Sequence, residues 1–228
     1  MNGATRLLPA FGVLAAVQMI VASTVDGLTR PGYDQARNWI SQLSLGPGGW
    51  HGTVNLATCG LWLILAALGL HRRAAVLVFW CGLCLVALAV IRTDAGLGFP
   101  PGVPTEHTTR GLIHQLIAIT LGIAGIGAVA RIGPRRVAWP LAAVMTVTFV
   151  AASVLVVLDA GGVLPDNPSG LLERVALFAG LGWIGWFSGR AAWDSFGRRH
   201  RAGSPTGGAG PGRTPGAAME TAEAGRGR

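Results

Sequence analysis

The chain is short of charge and has no lysine. Only 12% of its 228 residues are charged while 51% are hydrophobic, more apolar side chain than a soluble domain of this size could cover, which places it in the membrane class. All 18 basic residues are Arg. They are scattered over the ends of apolar segments rather than gathered on one face with aromatic platforms, so the net charge of +8 is a poor argument for nucleic acid as a partner. Cysteine is nearly absent too. Cys81 and Cys84 form a C-x-x-C inside the apolar run "FWCGLCLVALAV", with no His or basic residue beside them to favour a thiolate. With Cys59 they read as small buried hydrophobes. There is no H-E-x-x-H or H-x-x-x-H pattern, and a metal site needs three or four convergent ligands, so neither a metal nor another cofactor is expected. Polar groups in the middle of the apolar runs are few (Gln18, Thr120, Thr146, Thr148, Ser153), which argues against an alternating-access carrier.

What the chain does have is long apolar runs. A helix needs about 20 apolar residues to span a bilayer. Six segments approach that length: Leu7 to Val25, Val54 to Leu70, Ala74 to Ile91, Gly111 to Ala130, Val137 to Leu158 and Leu171 to Gly189. The first exceeds the roughly 7 to 15 residues of a secretory h-region and lacks an A-x-A site, so it reads as a span. The fold predicted is an all-α membrane protein, a bundle of six transmembrane helices over residues 1–196. Residues 197–228, basic and then rich in Gly, Pro and Ala, read as a disordered cytoplasmic tail.

Orientation follows from the Arg distribution, because short cytoplasmic loops retain positive charge during insertion. Ten Arg residues lie at one set of segment ends (6, 72, 73, 131, 135, 136, 190, 198, 199, 201), and five (30, 37, 92, 110, 174) at the other. The richer side is read as the cytoplasm, with both termini inside. Seven of the ten acids (Asp26, Asp34, Asp94, Glu106, Asp159, Asp166, Glu173) then fall in or beside the three outer loops.

The first outer loop, "TRPGYDQARNWISQLSLGPGGW", is unusually polar for this chain. On a helical wheel Tyr33, Ala36, Trp39, Ile40 and Leu43 share one face and Asp34, Asn38 and Ser41 the opposite one, which predicts an amphipathic helix between Pro31-Gly32 and Gly46-Pro47. Trp39 and Trp50 suit the headgroup layer. Such a helix could simply lie in the interface, or its polar face could border a mouth.

The rest of the outer rim favours a mouth. Polar groups there are Asp26, Asn55, Arg92 with Asp94, His107 with His114, Asp159, and Glu173 with Arg174. His114 stands about one turn inside the fourth span, where an ionisable group is costly and usually faces the bundle interior or a cavity. Thr105 is the expected cap of that helix, which would place His107 and His114 on one face. Arg92 and Asp94, close to lipid, are expected to pair with each other or across the rim. The candidate catalytic residues are therefore His114 as general acid or base and Asp94, or Asp34, orienting it, with Arg30, Tyr33, Asp34, Asn38, Ser41, Asn55, Arg92, His107, Glu173 and Arg174 as binding residues.

The stretches "RPGYD", "NWISQLSLGPGG" and "TDAGLGFPPG", with a single His one turn into span four, resemble the six-span bacterial membrane family known as domain of unknown function 998. The resemblance covers about residues 5 to 195. It implies a six-span protein of a bacterial plasma membrane and marks Tyr33, Asp34, Ser41, Asp94 and His114 as pattern positions, without giving them roles. Here the aspartate precedes "FPP", where the family pattern has it after "FP". A likeness to alkaline ceramidases and related membrane metal hydrolases stops at their paired-His motif, since no His lies between His114 and His200. The expected role is binding of an amphiphile, a lipid or isoprenoid, in an outward-facing polar pocket. The alternatives are an enzyme acting on such a substrate and a non-enzymatic membrane partner.

Overall fold

The computed structural model describes residues 7–70 and 72–202 as six helices: α1 (Ala10–Thr29), α2 (Trp50–Leu68), α3 (Arg72–Val90), α4 (Thr109–Arg131), α5 (Arg135–Ala160) and α6 (Ser169–Ala202). Each packs against its neighbours in sequence and α6 returns to α1, so the helices form a ring. The connection 132–134 is a tight turn. The longer ones, 30–49, 91–108 and 161–168, gather at the opposite end, here named the loop end.

Small residues allow the closest approaches. A Cβ on Gly60 of α2 would lie 2.6 Å from the carbonyl oxygen of Gly82 on α3, and the reverse distance is the same, so any side chain at either position would push the helices apart. Gly185 plays the same part between α6 and α1, where its Cβ would stand 2.8 Å from that of Ala16. Inside the ring, Met19, Leu63, Val78 and Leu85 are fully buried. Cys59, Cys81 and Cys84 are buried there as free thiols.

The outside is apolar as well. Val13, Val17, Val21 and Val25 run down one stripe of α1, with Leu112, Leu116, Ile119 and Ile123 on α4 and Val147, Val150, Val154 and Val157 on α5, all exposed. A protein in water does not leave such a surface bare. Five helices, α1, α2, α4, α5 and α6, are long and apolar enough to cross a membrane, and the apolar part of α3, Ala74–Val90, is shorter. The protein is membrane-embedded.

Three local expectations change. The amphipathic helix over residues 33–43 is absent: after the turn at Pro31-Gly32 the chain runs as irregular turns to a single 3-10 helix, Ile40–Ser44. Tyr33, Trp39, Ile40 and Leu43 of its apolar set are buried but Ala36 is exposed, and Asn38, Gln42 and Ser44 are buried too, because the backbone groups here bond to side chains and neighbouring loops rather than along a helix. Helix α4 begins at Thr109 and not near Glu106. Thr108 is its cap, accepting from the Gly111 amide at 3.1 Å, while Glu106 donates its own amide to the Ala95 carbonyl at 3.0 Å. Finally, α6 continues to Ala202, beyond the boundary placed at residue 196. The Gly/Pro/Ala-rich segment that follows lies outside the described residues.

Candidate functional site

The segment 30–49 folds over the loop end of the ring as a plug, held by three arginines. Arg174, on the first turns of α6, is buried and donates to the carbonyls of Gln35 and Asn38, each at 2.8 Å, to that of Gly170 at 3.0 Å, and to the Tyr33 hydroxyl. Its guanidinium also stacks on the Tyr33 ring, 5.5 Å from the centroid. Burial pushes the Tyr33 phenol well above its ordinary range, against the pull of Arg174, so it stays a donor toward the Asn38 and Trp39 carbonyls. Arg30 pairs with Asp26 at 2.9 Å and donates to the carbonyls of Pro47 and Gly48 at 2.5 and 2.8 Å. Arg37 reaches Asp159 at 3.2 Å and also Asp166, joining the plug to the α5–α6 connection.

The plug also grips the 91–108 connection. Asn38 donates to the Leu97 carbonyl at 2.9 Å and accepts from the Asp34 amide at 2.8 Å, and Gln42 donates to the Gly96 carbonyl at 2.6 Å. Asn38, which the sequence marked on a polar face, is thus with Gln42 an internal fastening of the segment.

Beneath the plug lies a narrow cavity bordered by α2 to α6, with ≈ 930 Å³ of atom-free space counting its open side. Along α6 its wall runs from Glu173 to Ile184, about 16 Å at the rise of an α-helix. The walls are almost wholly apolar, with Leu85, Leu121, Met145 and Phe149 among them, and glycines at 122, 125 and 180 leave the space between α4, α5 and α6. Its polar groups come from Trp39, Ser41, His114, Gln115 and Glu173. All five belong to the plug or to the first two turns of α4 and α6, so the cavity has a polar end and an apolar shaft.

His114 is 1% exposed, and its Nδ1 is hydrogen-bonded to the Ile91 carbonyl at the end of α3. A carbonyl can only accept, so Nδ1 carries the proton and the neutral ring keeps its lone pair on Nε2. That Nε2 is buried without a partner. The Trp39 indole N–H is likewise buried and unpartnered, its ring tilted against Phe149 at 6.4 Å. Glu173 accepts the Ile40 amide at 2.7 Å on Oε2. The cavity end therefore presents an acceptor, a donor, a hydroxyl and a carboxyl, with no arginine among the lining residues.

Of the residues selected from sequence, the structure brings His114, Ser41 and Glu173 to one cavity and leaves the others elsewhere. Arg30, Tyr33, Asn38 and Arg174 hold the plug. Asp34 is exposed, its carboxylate accepting the Ala36 amide at 2.8 Å. Asn55 bonds to Gln18 between α1 and α2 at 3.1 Å. Arg92 and Asp94 do not pair: Arg92 is exposed, and Asp94 accepts from the amide and hydroxyl of Thr108, each at 2.6 Å. Burial pushes the Asp94 carboxyl up, but those two bonds, Arg110 and His107 outweigh it and hold it below its ordinary value. His107 lies before α4 and is exposed, so it shares no helix face with His114. Among the described residues no three of His, Cys, Asp and Glu come together as a metal site would require.

Reading by residue type missed Trp39 as a cavity residue and Arg37 as a fastening. It also missed Gly122, Gly125 and Gly180, whose signal was small residues on one face of α4 and on α6. A membrane-embedded helical ring with a plugged cavity is the class these observations define. Within that class the chain belongs to the family described as Protein of unknown function (DUF998), which matches residues 13–190. No curated protein and no solved structure matches it.

Proposed function

We propose that this protein binds a single-chain amphiphile, its hydrocarbon tail in the shaft between α4, α5 and α6 and its head under the plug. The observation that carries the reading is the cavity itself: an apolar groove about 16 Å long ending at partnerless polar atoms. The setting we infer is a bacterial plasma membrane crossed six times, with α3 as the short span and the loop end outside. The excess of Arg at the opposite helix ends supports that orientation. A reporter fused after Gly203 should then be cytoplasmic, and an extracytoplasmic signal would overturn the topology.

The test of binding is a long alkyl chain carrying a diazirine. Photolabelling of the purified protein should map to Leu121–Ile126 and Leu177–Ile184. A Cβ at Gly125 would meet only Met145 Cε, at 3.9 Å, so Gly125→Leu adds its side chain to the cavity without a backbone clash. That variant should keep its melting temperature and lose the label. Labelling confined to the outer stripes of α1, α4 and α5, unchanged in Gly125→Leu, would sink the proposal.

A second reading, catalysis on the same ligand, is favoured by the fixed tautomer of His114, which leaves Nε2 free to take a proton. If it holds, His114→Gln inserts normally and retains the label but loses turnover. Full complementation of a deletion strain by His114→Gln between about pH 6 and 8, the range where an imidazole titrates, would dismiss catalysis.

A further inference from the structure

The head group can be narrowed by asking what the polar end of the cavity offers and what it withholds. It offers one lone pair, His114 Nε2, and one N–H, Trp39 Nε1, each buried and without a partner. Buried polar atoms are almost always hydrogen-bonded, so two such atoms on residues lining one cavity mark where a ligand's polar group would gain most. The group that meets both needs with a single atom is a hydroxyl, which donates one hydrogen bond and accepts another. What the site withholds is positive charge. None of the cavity's lining residues is an arginine, and Arg174, next to Glu173 in α6, points its terminal nitrogens at Gln35, Asn38, Gly170 and Tyr33. A carboxylate, Glu173, lines the same end. A phosphate or carboxylate head would enter a desolvated space facing a carboxyl, beside an Arg174 whose terminal nitrogens are already taken by the plug.

Resting on the amphiphile reading above, we infer that the site takes a long-chain alcohol, with its hydroxyl donating to His114 Nε2 and accepting from the Trp39 indole N–H, and rejects the corresponding phosphate and fatty acid. A free long-chain alcohol and a neutral glyceride share this chemistry. The groove's narrowness suits one chain, which favours the former and a glyceride with a single acyl chain over lipids with two.

The experiment is competition against the diazirine label, in protein reconstituted in nanodiscs, by hexadecanol, hexadecyl phosphate, hexadecanoate, hexadecylamine, a monoacylglycerol and a diacylglycerol. Hexadecanol should compete at a concentration at least about tenfold below the phosphate and the fatty acid, the factor that roughly one net hydrogen bond supplies. Trp39→Phe deletes only the N–H, and His114→Leu only the acceptor and the Ile91 bond. Each should weaken hexadecanol by about 3- to 10-fold and leave a plain hydrocarbon competitor unchanged. Monoacylglycerol competing with hexadecanol, and diacylglycerol failing, supports the single-chain form. Equal or better competition by the phosphate or fatty acid overturns the inference, as does equal competition by all heads. Preference for the amine also overturns it and transfers the head group to Glu173. In each of those cases a label still abolished by Gly125→Leu leaves amphiphile binding standing. If Trp39→Phe fails to fold, a hexadecanol preference retained in Trp39→His, whose ring can still donate, is the supporting result, and its loss there is the opposing one.

Discussion

Two clusters of polar side chains sit among these helices, and they are finished differently. Between α1 and α2, Gln18 donates to Asn55 Oδ1 at 3.1 Å and to the Thr58 hydroxyl at 2.5 Å, and accepts from the Trp62 indole at 2.8 Å. Thr58 passes its proton to the Val54 carbonyl, and Asn55 turns its amide toward Met19 sulfur. This cluster is saturated and joins two helices. At the cavity end, Trp39 and His114 each keep an atom without a partner. A saturated network stabilises the fold, whereas an open one in the same medium destabilises it unless something else completes it. The same residue types, Trp and an amide or imidazole, thus act as glue in one place and as a binding surface in the other.

The plug is the part whose loss would erase the contrast altogether. Arg174→Met removes the donor to three carbonyls and to Tyr33, so it should lower stability by at least about 3 kcal/mol, read as a drop in melting temperature in detergent and protease cutting within 30–49. An unchanged melting temperature would mean the plug stands without it. Next in size is Gln18→Leu, expected to cost about 1 kcal/mol because it strips partners from Trp62 and Asn55 together.

The sharpest comparison uses one substitution twice. Trp62→Phe leaves Gln18 Oε1 without its donor and should cost about 1 kcal/mol, while Trp39→Phe deletes an N–H that bonds to nothing and should stay within about 0.5 kcal/mol of the parent. Equal losses in the two variants would show that the clusters do not differ as described. The smallest effect concerns pH. Asp94 is held below its ordinary carboxyl value in the folded protein, so its contribution is present above about pH 4 and is lost as pH falls through the lowered value. Asp94→Asn should therefore flatten the acid side of the melting curve and leave its neutral side nearly unchanged. A variant with the parent's acid limb would remove Asp94 from that account.

His114 was visible in the sequence because an ionisable residue one turn inside an apolar run has few reasons to be there. Glu173 and Ser41 were visible as polar groups near the rim, but so were Asp34, Asn55 and Arg92, and composition had no means of separating them. Separation came from partners. Asn38 and Arg174 hold backbone carbonyls of distant segments, and no periodicity encodes a bond between residues 136 positions apart. The helical wheel failed over 33–43 for a related reason: it presumes that a segment satisfies its own backbone along a helix, whereas here Glu173 and Arg174 satisfy it from outside and the Tyr33 hydroxyl from within.

By itself the sequence determined the medium and the elements, since apolar runs of this length must become helices that satisfy their own hydrogen bonds in lipid. It also marked a polar rim. Only the tertiary structure decided which rim residues fasten the plug and which border the cavity, because that depends on which donors and acceptors meet across the ring. The two unpartnered atoms on residues that line the cavity, His114 Nε2 and Trp39 Nε1, are a property of the assembled whole, produced by the Ile91 carbonyl after α3 taking Nδ1 of one ring and the plug pressing the other against Phe149.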